Sequence, residues 1–420
     1  MSMTIPRRTL LAGTGAVAAG LAIPGVAEAG RQKPTKTKIT FTLDAETLDG
    51  GEQVTSVTLK TAGLGQIVPA SLKPGTFTVH AKATSPIPLA DTDLIFSTYD
   101  LDRTVTTARL DRRGNIVLEL DYAEGQVGGG TLGYIVSKGR NVQLDLTYTI
   151  TQNAPLKLRN GRSLTLSSIT QGDLVNPEVD AFGYAVSRSK MNYRLFSPSQ
   201  RGRGKRPLVV WLHGGGEGGS MADGYYDNET PLRANRGALG FATPQAQKIF
   251  GGAYVVAPQS TSAWMNDGPG FAPQIKEIID EVARRYPIDR DQIHVVGCSN
   301  GGYMTMKMTV DYPRLFASSV PICGVVQSYG GSGRLITDAQ LTKITTPTWL
   351  VAAANDTTVD PVANTKHAHD LIPRSIMTMY DDVTWDGHEF AGHWSWIYVA
   401  RNDPRHRGTR IWQWMARQER

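Results

Sequence analysis

The chain has 420 residues, enough for two or more domains, and its 40% hydrophobic and 8% aromatic content excludes a disordered or fibrous protein. A formal net charge of +6 is mild. The basic clusters, Arg201, Arg203, Lys205 and Arg206 and then Arg405, His406 and Arg407, lack interleaved aromatics, which argues against a nucleic-acid partner. With two cysteines, no C-x-x-C pair and no H-E-x-x-H run, neither a metal nor a cofactor is expected.

In chain order, Arg7 and Arg8 precede an uncharged small and apolar run over residues 10–27, and Ala27-Glu28-Ala29 places small residues at both cleavage positions. This predicts a twin-arginine export signal over residues 1–29, with Gly30 as the mature start. The protein is then expected to leave the cytoplasm folded, for the periplasm, cell envelope or medium. No later stretch reaches the ~18 apolar residues that span a bilayer. Alternation of period two follows at residues 39–43, 53–60, 77–83, 94–99, 116–122 and 142–150, separated by turn chemistry such as Lys73-Pro74-Gly75 and Arg113-Gly114-Asn115. Short strands at this spacing predict an all-β sandwich of immunoglobulin-like size over residues 38–150. The glycine-rich stretch 126–133 reads as a loop over a neighbouring site.

The pattern changes from residue 155. Near-continuous apolar runs at 164–169, 191–196, 208–212, 254–257, 293–297, 318–322, 348–353 and 375–380 alternate with helical stretches. The clearest helix, 271–286, carries Ile275, Ile278, Ile279 and Val282 at helical spacing. Such strands predict a mostly parallel sheet with helices on both faces, the second domain being 155–420, and such sheets place their sites at the C-terminal strand ends.

The chemistry lies at those ends. Gly297-Cys298-Ser299-Asn300-Gly301 joins an apolar strand to a helix, the context a G-x-S-x-G nucleophile elbow requires, and the two glycines keep side chains away from a sharp turn. A serine hydroxyl needs a base, and the base needs a carboxylate to hold its tautomer. Asp356 directly follows the strand 348–353. Asp360 precedes Pro361 and an amphipathic run, the position of a helix cap. His393 and His388 compete as base; His393 is preferred because it leads into a helix start at Ser395-Trp396. The run His213-Gly214-Gly215-Gly216 after the strand 208–212 predicts an oxyanion hole from the Gly215–Gly216 loop with the Asn300 backbone N–H. His213 itself reads as orienting that loop, and no G-K-[ST] follows to make it a phosphate loop. Trp264 and Tyr225 are candidate cleft residues. Ser, acid and His fall in the chain order of α/β hydrolases.

On RPLVVWLHGGGEGG, AYVVAPQS, GCSNGGYMTMKM, AAANDTTVDP and GHWSW, the chain from about residue 155 resembles the secreted α/β-hydrolase esterases that include feruloyl esterases, polyhydroxybutyrate depolymerases and prolyl-oligopeptidase-like esterases. The layout with a β-rich domain in front is similar to a bacterial esterase type with an N-terminal immunoglobulin-like domain. The resemblance implies an exported serine esterase with the triad Ser299, His393 and Asp356, acting on a small-molecule or polymer-derived ester. Members often carry a disulfide near the site; here Cys298 and Cys323 read as reduced, buried fillers. Two alternatives remain: a polymer-binding depolymerase, and a peptidase of the prolyl-oligopeptidase type. The peptidases carry a propeller in front, and the ~120 residues in front here show no blade-length repeat. The hydrolase half has no long apolar insertion, so an open cleft is expected. It would take short-chain or aryl esters, with activity falling beyond about eight carbons.

Overall fold

In a computed structural model, which describes residues 37–199, 204–328 and 333–420, the strand Thr37–Leu48 buries Ile39, Phe41, Leu43 and Ala45 in alternation. That is the period of a strand covered on one face. It pairs antiparallel with Gly51–Leu59, and the five-stranded sheet continues through Ile116–Leu120 to Val105–Leu110. A three-stranded sheet of Asp145–Gln152, Phe77–Thr84 and Tyr99–Arg103 shares one apolar cluster with it, to which Phe41, Leu59, Val79, Ala81 and Leu118 contribute. A small antiparallel sheet of Ile95–Phe96, Leu132–Ile135 and Arg140–Gln143 completes this β-rich layer.

The layer runs further along the chain than the boundary expected at residues 150–155. Leu166–Val175 pairs parallel with Thr37–Leu48, and Leu156, Leu158, Leu164 and Leu166 all enter the same cluster. The run 164–169 therefore belongs to the β-rich layer, not to the hydrolase sheet. Its alternation of buried leucines with polar residues suits a sheet covered on one side, whereas a central parallel strand is apolar throughout.

The hydrolase layer is an eight-stranded sheet in the order Phe182–Val186, Asn192–Phe196, Tyr254–Pro258, Arg206–Leu212, Ile288–Cys298, Ser318–Ile322, Trp349–Ala353 and Ile376–Tyr380. Asn192–Phe196 is antiparallel to both its neighbours, and the rest of the sheet is parallel. Alternate residues of the central strands feed two cores, one on each face: Leu208, Val210 and Leu212 on one side, Val209 and Trp211 on the other. The helix Gly268–Arg285 covers the first face with Ile275, Ile278, Ile279 and Val282, the spacing expected from the sequence.

The described residues form one compact unit, and buried charge joins its two layers. Arg233 of the hydrolase layer reaches both carboxylate oxygens of Glu52 in the strand Gly51–Leu59, the Oε1 contact measuring 2.6 Å, and also Glu229 at 2.9 Å. Arg401 grips Asp49 through two nitrogens, at 2.8 and 3.0 Å. No helix among the described residues is long and apolar enough to cross a membrane. The export signal expected at 1–29 lies outside the described residues.

Candidate active site

The strand Ile288–Cys298 stops at Ser299, and the helix Asn300–Asp311 starts at the next residue. Ser299 carries the turn in a conformation that L-residues rarely adopt, φ 55° and ψ −115°. The turn needs its glycines: a Cβ on Gly297 would lie 2.7 Å from the Leu212 carbonyl oxygen, and one on Gly301 would overlap that same oxygen. Main-chain support comes from Ser299 N–H, which donates to Ile322 O at 2.8 Å. Among the described residues the Ser299 hydroxyl has no hydrogen-bond partner.

Asp356 follows the strand Trp349–Ala353 at the same end of the sheet. Its Oδ1 accepts from Thr358 N–H at 2.8 Å and Val359 N–H at 2.9 Å, which leaves Oδ2 to meet His393 Nδ1 at 2.8 Å. His393 sits in the short turn Gly392–Trp394, edge-on to Trp396. Asp360 accepts from Val362 and Ala363 N–H as a cap, and His388 packs on Phe390 away from Asp356. Burial works against a charged His393, but the Cys323 sulfur and the Asp356 carboxylate outweigh it and raise its pKa above the ordinary range. Ligand-type atoms of Cys323, Asp356 and His393 lie within 4.8 Å of one another, a proximity no sequence spacing announced. Cys323 adopts φ 39°, and both cysteines are free and buried.

The strand Arg206–Leu212 delivers the glycine loop beside the elbow. Burial lowers His213 to about 4, so its ring is neutral; Nδ1 donates to Gly214 O at 2.6 Å, and Nε2 accepts from Ser260 N–H at 3.1 Å. That pinning fixes the loop. Gly215 and Gly216 line the same cavity of about 1150 Å³ as Ser299 and His393. Asn300 heads its helix, where the first N–H groups have no intrahelical acceptor, and its side chain holds Met265 N–H at 3.0 Å. The loop also carries Glu217, which the sequence reading did not single out. Its Oε2 is buried with no partner among the described residues, and burial, partly offset by the Gly214 backbone and His393, pushes the carboxyl up to about 7.

Two cleft expectations are corrected. Trp264 is fully buried: its indole donates to His213 O at 3.0 Å and packs edge-on against Phe271, so it supports the loop from behind. Tyr225 is turned from the cavity, accepting from Gln143 N–H at 2.5 Å and donating to Asp227 at 2.9 Å. Both side chains follow polar partners that only the folded chain supplies. The cavity wall opposite the elbow comes instead from the β-rich layer, including residues 125–128 and Tyr134, Arg140 and Asn141. The glycine-rich stretch 126–133 does reach the site, as expected, while the following strands were not foreseen there.

A model of the prolyl oligopeptidase family matches residues 262–334, the stretch around the elbow. In sequence the chain is similar to the poly(3-hydroxyalkanoate) depolymerase C of Paucimonas lemoignei, 34% identical over 84 residues. It is also similar to the acetylxylan esterase A of Emericella nidulans, 30% identical over 105 residues. The matches take in 17% and 25% of this chain and span only 20% and 34% of those relatives' lengths. In structure the chain is similar to a thermostable esterase, with a TM-score of 0.71 and 25% identity, covering 90% of this chain and 99% of that one. An overlay of that extent takes in both layers. The chain thus carries an α/β-hydrolase fold behind a β-rich layer, is similar in sequence to a depolymerase and an esterase over part of its length, and resembles an esterase in structure over nearly its whole described length.

Proposed function

We propose that the protein is a carboxylic ester hydrolase that works through an acyl-enzyme on Ser299. Ser299 Oγ attacks the ester carbonyl, His393 takes its proton and returns it to the leaving alcohol, and Asp356 holds the imidazole and stabilises its charged form. The N–H groups of Asn300 and of the Gly215–Gly216 loop receive the developing oxyanion, and water then resolves the acyl-enzyme. The observation that carries this reading is the 2.8 Å contact of His393 Nδ1 with Asp356 Oδ2, on a ring that lines one cavity with the strained Ser299 and the glycine loop. The esterase similarities support it. Two further readings belong to the proposal: the β-rich layer as an immunoglobulin-like module, and export by the twin-arginine route. Ser299→Ala should lower p-nitrophenyl ester hydrolysis at least a thousandfold and abolish labelling by a fluorophosphonate. Labelling that persists would remove Ser299 from the reaction.

The prolyl-oligopeptidase match at residues 262–334 favours a second reading, a serine peptidase on the same machinery. Parallel kinetics on p-nitrophenyl butyrate and a peptide nitroanilide separate the two. Faster anilide cleavage would reverse the order.

A further inference from the structure

The pair of strands Ile95–Phe96 and Leu132–Ile135 is apolar on both faces. Ile95 and Ile135 oppose each other on the inner face, Ile135 fully buried and Ile95 packed against the core of the β-rich layer as a partly buried neighbour. Phe96 and Tyr134 form the next cross-strand pair and point the other way, 52% and 38% exposed. Leu94 and Val136, two residues along each chain and linked by Val136 N–H to Leu94 O at 2.9 Å, are exposed as well. From the hydrolase layer Met221, 63% exposed, reaches the same cavity that Tyr134 lines. Of this group Tyr134 and Met221 line the cavity, while Leu94, Phe96 and Val136 continue from Tyr134 beyond its lining; the other exposed large apolar side chains among the described residues are Val127, also on the cavity, and Tyr122, Tyr184, Val186 and Val362, which are not. A one-sided strand would carry polar residues where Phe96 and Tyr134 stand, so this second apolar face is left exposed among the described residues.

Two features connect that face to the chemistry. The Tyr134 ring lies 3.8 Å from where a Cβ on Gly216 would sit, so the strip begins beside the oxyanion loop. The rim is also held in place: Lys138 and Arg140, which follow Tyr134, bind Asp223 at 3.0 and 2.9 Å and so tie down the turn that bears Met221. A preformed apolar surface costs little ordering when it is covered.

We propose that Leu94, Phe96, Tyr134, Val136 and Met221 form a shelf that holds the hydrocarbon arm of the ester, alkyl or aryl, where it leaves the cavity. The proposal rests on the ester-hydrolase reading and names which layer chiefly selects the substrate: the β-rich layer supplies four of the five apolar side chains, and Met221 of the hydrolase layer the fifth. The shelf is short, about 7 Å along each strand, so it rewards the first several CH₂ groups beyond the cavity and no more. The wild-type protein should show kcat/KM rising from p-nitrophenyl acetate to an optimum near octanoate and levelling at decanoate.

The test compares that ester series in wild type, Phe96→Ser and Met221→Ser, with thermal unfolding to verify folding; both side chains are exposed, and either variant suffices if the other fails to fold. Each buried CH₂ is worth roughly fourfold, so losing part of the shelf should lower the octanoate-to-acetate ratio of kcat/KM roughly tenfold, mainly through KM. A ratio within twofold of wild type in a folded variant overturns the shelf. An unchanged ratio with lost retention on a polyester film also overturns it and assigns the patch to an insoluble polymer. No hydrolysis of any ester by the wild type would instead overturn the ester-hydrolase reading.

Discussion

At His393 the local charges set how the site responds to pH. A base that must be neutral to accept a proton, and whose pKa is raised by Cys323 and Asp356 against burial, is switched on later as pH rises. The acid limb of kcat/KM should therefore lie above the 6.5 of an ordinary imidazole. A limb at or below that value in a pH–rate profile would show that the shift is absent. Glu217 gives the opposite lever, on stability. Its carboxyl is pushed from 4.5 to about 7 in the folded protein, so the unfolded chain ionises first. The folded state consequently loses stability as pH rises through that window, by about 3 kcal/mol once both forms are ionised. Glu217→Gln should recover most of this at pH 8 and little near pH 5, which urea unfolding at the two values measures. Equal gains at both would mean that the shift is absent. The sequence named Ser299, Asp356 and His393 but not Glu217 or Cys323. A nucleophile elbow advertises itself by its glycines, whereas a buried carboxyl or thiol beside the base leaves no local pattern.

The elements divide in the same way. Strands of the parallel sheet were legible because burial on both faces demands unbroken apolar runs, as in Arg206–Leu212 and Trp349–Ala353. Asp360 was legible as a cap because capping is settled by the next three residues. The edge strand Phe182–Val186 was not, since it exposes Tyr184 and Val186 to solvent and so lacks the apolar signature. Tyr99–Arg103 and Val105–Leu110 were also missed. In the latter only Val105, Ala108 and Leu110 pack against the core, as partly buried neighbours, too weak an alternation to read. The run 164–169 carries the signature of a strand but pairs in the β-rich layer rather than the parallel sheet. A strand's sequence reports which faces are covered, not which partner covers them.

For the whole molecule, the joint between layers is itself testable. The Glu52 side chain has no exposure, and Arg233 is its only charged partner among the described residues. Arg233→Ala should cost about 3–5 kcal/mol by leaving that carboxylate buried and unpaired, read by chemical unfolding. The double variant Glu52→Gln/Arg233→Met should be less destabilised than Arg233→Ala; equal losses would show that the pair matters only through packing. Arg233 and Glu52 lie far apart in sequence, and nothing near either residue signals the other. The sequence by itself determined the α/β half, the candidate nucleophile, acid and base, and the glycine loop, because each depends on neighbours within a turn or on the period of one element. Only the tertiary structure decided that Trp264 and Tyr225 turn away from the cavity and that the β-rich layer extends to Val175. It alone, too, set that layer's strands as the far wall of the site. Those outcomes are fixed by contacts between separate segments, 51 residues apart for Trp264 and His213, 82 for Tyr225 and Gln143, and more than a hundred for the paired strands, where burial and pairing depend on a partner the local sequence does not contain.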